Sequence, residues 1–81
     1  MKIYTYNGKS NIVGARIKIA RKEMGFSQYD VATRLQLENV CLTQKCISRI
    51  EHFQRFVADY ELLGFSKVLK KPVEWFLDSG V

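Results

Sequence analysis

A short helix is predicted over Thr43-Gln44-Lys45-Cys46-Ile47-Ser48-Arg49-Ile50-Glu51, and the rest of the chain is arranged to hold it. Thr43 can cap its start, because a threonine hydroxyl accepts a hydrogen bond from a free backbone amide one turn later. Ile47 and Ile50 lie three residues apart and share one face, which gives the helix an apolar edge for a core. The other faces of this helix are polar.

These polar faces carry side chains that suit duplex DNA. Glutamine and arginine can form paired hydrogen bonds with the edges of adenine and guanine, while serine and lysine reach phosphates. We therefore predict that this helix reads DNA, and the candidates for base contacts on its outer face are Gln44, Lys45, Ser48 and Arg49. The alternative is an ordinary solvated helix face, on which Ser48 is only a small surface residue.

Length and charge favour one small domain with a polyanionic partner. The chain has 81 residues, 47% of them hydrophobic, and a net charge of +5. These values are typical of a single folded domain, and the positive charge favours nucleic acid, although many basic proteins bind none. No stretch approaches the roughly 20 apolar residues of a membrane span. The N-terminus lacks the apolar run of a signal peptide, so we expect a cytoplasmic protein with no membrane contact.

The cysteines and the single histidine are too few for a metal centre. Cys41 and Cys46 lie five residues apart, and His52 is the only histidine. A closed zinc site needs four such ligands, and reducing compartments keep thiols unpaired. We expect free thiols, no metal, no cofactor and no small-molecule ligand, with a redox switch as the minor alternative. No catalytic constellation is present in the sequence, so an enzyme is not expected.

Apolar spacing and capping signals predict helices on both sides of the central one. The first starts at Asn11 and ends at Gly25, a glycine suited to the left-handed position after a helix. Ser27 caps the second, which runs from Gln28 to about Gln36. Residues 37–42, here called the long connection, contain several apolar side chains and are expected to fold against the body of the domain.

Two further helices are predicted after a loop over residues 52–57. One runs from about Asp59 to Lys70, with Tyr60 and Leu63 among its inward-facing residues. The last runs from Pro72 to Leu77, because proline stops one helix and suits the first position of the next. Its apolar side chains are expected to be buried: Val73, Phe76 and Leu77.

Residues 1–10 form a mixed leader before the helices. The segment Ile3-Tyr4-Thr5-Tyr6 has strand-like propensity, and Asn7-Gly8 is a turn signal. We expect an N-terminal arm over residues 1–10, and a short strand that pairs with another subunit is the alternative. The last three residues, 79–81, are expected to be a C-terminal tail.

Five motifs in order resemble one known family. They are Ala20-Arg21-Lys22-Glu23-Met24-Gly25-Phe26-Ser27-Gln28, Val31-Ala32, Ile47-Ser48-Arg49-Ile50-Glu51, Asp59-Tyr60-Glu61-Leu62-Leu63 and Val73-Glu74-Trp75-Phe76-Leu77. This pattern resembles the lambda-repressor-like (XRE-type) helix-turn-helix family over residues 11–78. The resemblance implies an all-α, compact five-helix domain that binds double-stranded DNA as a sequence-specific transcriptional regulator, with repression favoured over activation. Its recognition helix, residues 43–52, is expected in the major groove.

The resemblance also assigns roles to individual residues. It implies DNA phosphate contacts from Ser27, Gln28, Thr43, His52, Gln54 and Arg55. It implies an internal ion pair between Arg21 and Glu51, which orients the recognition helix. A homodimer is expected on a two-fold site, because one reading helix covers about half of an operator. Its interface is expected at the fifth helix, at the leader, or at both, with possible contacts from Val73, Trp75, Phe76 and Leu77.

Three features depart from the family pattern. Ala32 and Ile47 are fifteen positions apart, whereas members with a tight turn place these core residues about ten apart. A bacterial subgroup with a lengthened turn has a similar Leu-Gln-Leu connection. The glycine usual after the third helix is replaced by His52-Phe53-Gln54, and the leader lies outside the match. The apolar connection and the aromatic loop motivate a rival hypothesis, a protein-interaction or antitoxin-like adaptor on the same scaffold.

Overall fold

The computed structural model describes residues 5–78 and contains five helices in that range. They are α1 (Gly14–Glu23), α2 (Gln28–Leu37), α3 (Gln44–Glu51), α4 (Asp59–Leu69) and α5 (Val73–Leu77). No strand occurs between residues 5 and 78, where a single antiparallel bridge joins Tyr6 to Lys9. The all-α prediction is confirmed for this range. Residues 1–4 of the predicted arm and the predicted tail, 79–81, lie outside the described residues.

Local capping sets the starts of the two central helices. The Ser27 hydroxyl accepts from the Asp30 amide at 3.0 Å, and the Asp30 carboxylate accepts from the Ser27 amide at 2.9 Å. This reciprocal capping box satisfies two amides that a helix start leaves free. The Thr43 hydroxyl accepts from the Cys46 amide at 3.2 Å. Both predicted caps are therefore present.

The first helix begins three residues later than predicted. The Asn11 side chain accepts from the Gly14 amide at 2.8 Å and donates to the carbonyl oxygens of Ile50 and Arg55 at 3.0 and 2.7 Å. Asn11 therefore fastens the segment before α1 to the end of α3, and the helix starts only at Gly14. At the other end Gly25 takes the predicted left-handed conformation, with φ of 73°.

The core lies between the inner faces of all five helices. Ile47 and Ile50 of α3 are fully buried, as their spacing predicted. Val40 and Leu42 are also buried, which confirms that the long connection folds against the domain. The other buried apolar residues are Val13, Ile17, Ala20, Val31, Leu35, Phe65, Leu69 and Phe76.

The predicted inward face of α4 is wrong at two positions. Tyr60 and Leu63 are 62% and 50% exposed. The buried stripe instead contains Glu61, Phe65 and Leu69, four residues apart. Glu61 favours this rotation of the helix, because its carboxylate accepts from the Ala58 amide at 3.0 Å and from the half-buried guanidinium of Arg55.

The last helix also departs from its prediction. Phe76 is fully buried, but Leu77 is 48% exposed rather than buried. A helix of five residues has a single face for the core, and Phe76 occupies it. Phe76 is therefore not available for the dimer contact predicted for it.

Two glycines allow close approach of neighbouring elements. A Cβ atom at Gly14 would collide with the backbone carbonyl oxygen of Ile50. A Cβ atom at Gly64 would lie 2.8 Å from Cγ2 of Val40 and 3.2 Å from Cδ2 of Leu35. Gly14 therefore lets α1 cross close to α3, and Gly64 lets the long connection lie directly on α4. In residues 5–78 no helix has both the length and the apolar character needed to cross a membrane.

Candidate nucleic-acid interface

The outer side of α3 presents the side chains that were predicted to contact bases. Gln44, Lys45 and Arg49 are exposed, and Ser48 is half-buried. Positions one, three and four residues apart in this set place them on adjoining parts of one helix surface. Because Ile47 and Ile50 hold the opposite side in the core, this polar surface faces outward.

A buried ion pair joins α1 to the end of α3. Arg21 donates from Nε to Glu51 Oε2 at 2.7 Å and from Nη2 to Glu51 Oε1 at 3.0 Å. The two side chains are 11% and 2% exposed. Arg21 Nη1 also donates to the Phe26 carbonyl oxygen at 2.9 Å. The expected pair is present, and its paired geometry fixes orientation more than it adds net stability.

Two glutamines extend this pair to the start of α3. Gln28 donates from Nε2 to Glu51 Oε1 at 3.0 Å, and its Oε1 accepts from Gln44 Nε2 at 2.6 Å. We call the four side chains Arg21, Glu51, Gln28 and Gln44 the polar chain. It fixes both ends of α3, because Glu51 is its last residue and Gln44 its first. The sequence indicated Gln28 only as a phosphate contact, since nothing local signals this bridge.

Four of the six predicted phosphate contacts lie at the surface. Ser27, Thr43, His52 and Gln54 are exposed and are positioned at the ends of α2 and α3. The His52 ring nitrogen Nδ1 lies 2.7 Å from the Ser48 carbonyl oxygen. Ser27 and Thr43 use their hydroxyl oxygens as helix caps.

Arg55, the sixth predicted phosphate contact, also makes contacts within the protein. Its Nη1 and Nη2 atoms donate to the two carboxylate oxygens of Glu61 at 3.0 and 3.2 Å. The hydrogen bonds to Glu61 raise the pKa of the Arg55 guanidinium. This side chain is only 20% exposed. Arg55 is thus used inside the protein, where it fixes the loop after α3 to α4.

The aromatic loop after α3 packs against the leader. Phe53 has a φ of 62°, so it takes the left-handed conformation that glycine usually supplies after a helix. Its carbonyl oxygen accepts from the Ser10 amide at 3.0 Å. The Lys9 ammonium lies 4.4 Å from the centre of its ring. The phenylalanine in place of glycine therefore joins the leader to the end of α3.

Cys46 lies in the first turn of α3. The Thr43 hydroxyl donates to its Sγ atom at 3.2 Å, and this bond, with smaller contributions from nearby arginines, lowers the pKa of the thiol. Cys41 and Cys46 are not bonded to each other. In the described part of the chain no cluster of three histidine, cysteine or acidic side chains could hold a metal ion.

The candidate dimer residues lie on α5, which packs against α1 and α4. Trp75 is half-buried, with Arg16 and Lys71 at 4.6 and 4.8 Å from the centre of its indole. Val73 is half-buried and Leu77 is exposed. Three of the four predicted contacts are therefore at least partly accessible.

Comparisons with protein-family models, with curated proteins and with solved structures find no match to this chain. The geometry of the site itself is therefore the basis for assigning a function. Its main feature is an exposed polar helix surface that is oriented by a buried ion pair and by hydrogen bonds that extend from this pair to the surface.

Proposed function

We propose that the protein is a sequence-specific, double-stranded DNA-binding transcriptional regulator that places α3 in the major groove. The polar chain carries this proposal. A solvated helix face needs no fixed orientation, yet α3 is held at both ends by bonds of 2.6–3.0 Å. Base recognition does need such preorganisation, because paired hydrogen bonds to base edges depend on direction.

Net charge and the expected two-fold symmetry also support the proposal. The net charge of +5 favours association with phosphates. A homodimer would place two reading helices one turn of DNA apart, and the accessible side chains of Trp75 and Leu77 on α5 supply an interface. As in the XRE-type family that the sequence resembles, repression is favoured over activation.

The test starts with selection of bound sequences from a random pool of duplexes. Gln44→Ala and Arg49→Ala are then compared with wild type on the selected site and on random duplex. Each lost paired contact should weaken specific binding by roughly 1–3 kcal/mol and relax the base preference, while non-specific binding is largely retained. Lys18→Ala is the control. It removes the same charge as Arg49→Ala, but Lys18 is exposed on α1, outside α3. A protein with no affinity for any duplex at low salt would refute the proposal.

The rival function is a protein-interaction adaptor on the same scaffold. It is favoured by one observation, the exposed apolar side chains of Leu37 in the long connection and of Tyr60 and Leu63 beside it. An adaptor would show no selected DNA sequence and would retain its activity in Gln44→Ala. The selection experiment therefore separates the two functions directly.

A further inference from the structure

The long connection lines two surface grooves. The first is a cleft of about 410 Å³ between α2 and residues 41–43. The second, of about 190 Å³, lies between residues 38–40 and α4, and we call it the α4 groove. Its lining residues on the helix are Tyr60, Leu63, Gly64 and Lys67. Because one of them is glycine, no side chain of the helix fills the groove at that position.

The helix beside this groove is apolar on two sides, although the core uses only one. Phe65 and Leu69 are buried in the core. Tyr60 and Leu63 are exposed and line the groove. Leu37, in the long connection, adds a side chain that is 81% exposed. A surface helix typically has a single apolar face, toward the core, and adjoining exposed apolar residues mark sites of protein association. A second apolar face on α4 therefore indicates a partner that covers it.

The charges at the α4 groove suit a second copy of the same chain. Lys67 Nζ lies 3.8 Å from Glu38 Oε1, and the two side chains are 58% and 39% exposed. Among the described residues, these two are the only charged ones that line the groove. A two-fold axis brings the same surface of both copies together. An axis that passes between the two charges places the lysine of each copy opposite the glutamate of the other. The patch is thus complementary to itself, whereas a partner with charges of one sign would meet a like charge.

We propose that this face is a self-association surface, on which α4 of one copy packs against α4 of a second copy about a two-fold axis. Tyr60 and Leu63 form the apolar centre of the contact, and their counterparts on the second copy fill the groove. Glu38 and Lys67 form two ion pairs between the copies at its edge. An apolar centre with a polar rim is typical of protein interfaces. The surface is separate from α5, where the resemblance places the dimer contacts, and it does not depend on DNA binding.

Leu63→Glu tests this surface, with Leu77→Glu as a matched control on α5. The two leucines are 50% and 48% exposed, so neither substitution empties the core and both add the same charge. Sedimentation equilibrium over a range of protein concentrations, without DNA, measures the dissociation constant of the dimer. Leu63→Glu should weaken dimerisation by roughly tenfold or more, because the contact would bury an unpaired carboxylate. The Leu77→Glu protein should still dimerise.

Three results would overturn the inference. A wild-type chain that stays monomeric at every concentration would leave the apolar face to a different protein, as in the adaptor function. Equal dimerisation of the Leu63→Glu protein and wild type would exclude this face as the contact. Loss of dimerisation in the Leu77→Glu protein alone would place the interface on α5. None of these results decides the proposed function, because DNA selection and Gln44→Ala test a different surface.

Reversal of the two charges tests the two-fold arrangement. Glu38→Lys and Lys67→Glu are each made in the Leu77→Glu background, so that α5 does not contribute. Each variant alone places like charges opposite each other in its dimer and should dimerise roughly tenfold more weakly. An equimolar mixture of the two should recover dimers, because each reversed charge then faces an opposite charge on the other copy. Equally weak association in the mixture would mean that the charges pair only within one copy, which would overturn the inference. Circular dichroism and thermal unfolding verify that all variants are folded.

Discussion

Asp30 illustrates how one side chain links local sequence to stability. The hydrogen bond from the Ser27 amide, followed by that from the Ser27 hydroxyl, lowers the pKa of the Asp30 carboxyl below its ordinary value. The ionised carboxylate is therefore favoured in the folded protein relative to the unfolded chain. Its contribution is present above pH about 4, the ordinary pKa of aspartate, and is lost as the pH falls through the lowered folded value.

We expect Asp30→Asn to reduce this acid dependence. Thermal unfolding of wild type and variant should differ most near neutral pH, and the two curves should converge as the pH falls below about 4. Ser27→Ala keeps the amide that supplies the largest effect and should give an intermediate profile. A difference in melting temperature that is constant between pH 7 and pH 2.5 would contradict this explanation.

For single residues, the sequence predicts those side-chain contacts whose partners are near in the chain. The Ser27 and Thr43 caps act on amides three residues away, so their residue types are sufficient. The resemblance implies a phosphate contact for Arg55, and its ion pair with Glu61 has no signal in the sequence because it depends on the packing of α4. Likewise, the link from Gln28 to Glu51 crosses 23 positions and has no local signal.

Among the elements, the long connection and α4 depend on each other. Gly64 gives Val40 the space to lie on the helix, and Val40 covers the core at that point. Gly64→Ala should destabilise the fold by about 1–3 kcal/mol through overpacking, although alanine alone would favour the helix by about 1 kcal/mol. Urea unfolding measures the change.

The double variant identifies the cause of this loss. Removing Cγ2 with Val40→Ala should make the Gly64→Ala change less costly than it is in wild type, because the close contact is gone. An identical cost in both backgrounds would mean that the strain lies elsewhere, for example at Leu35.

The element boundaries could be predicted well, but one helix rotation could not. Caps and breakers are local, and α2 and α3 start where Ser27 and Thr43 indicated. For α4, apolar spacing favoured Tyr60 and Leu63 as inward residues. The observed face instead follows the needs of Glu61 and Gly64, whose partners lie in other segments. Periodicity alone has no information on these partners.

For the whole molecule, the distribution of positive charge predicts how the proposed DNA binding depends on salt concentration. Each cation that neutralises a phosphate contributes about −0.9 to the slope of log affinity against log salt. Lys45→Ala should therefore make the slope less steep by about one unit if Lys45 also meets the backbone. Lys70→Ala removes an equal charge at the end of α4 and should leave the slope unchanged.

Equal slopes for these two variants would indicate that Lys45 neutralises no phosphate. The all-helical class could be predicted because apolar spacing and capping signals agree with it. The cleft between α2 and residues 41–43 could not be predicted. It arises from the path of the long connection, and the sequence shows only the length of that connection.

The Arg21–Glu51 pair limits which substitutions this sequence can accept during evolution. Losing either member alone leaves a charge buried without its partner, which typically costs 3–5 kcal/mol. Exchanging the two residues does not restore the arrangement, because Glu51 also accepts from Gln28 and Arg21 also donates to Phe26. Substitutions at these positions are therefore strongly epistatic. New binding specificities are expected to arise through exposed positions such as Lys45 and Arg49, while the pair beneath them stays unchanged.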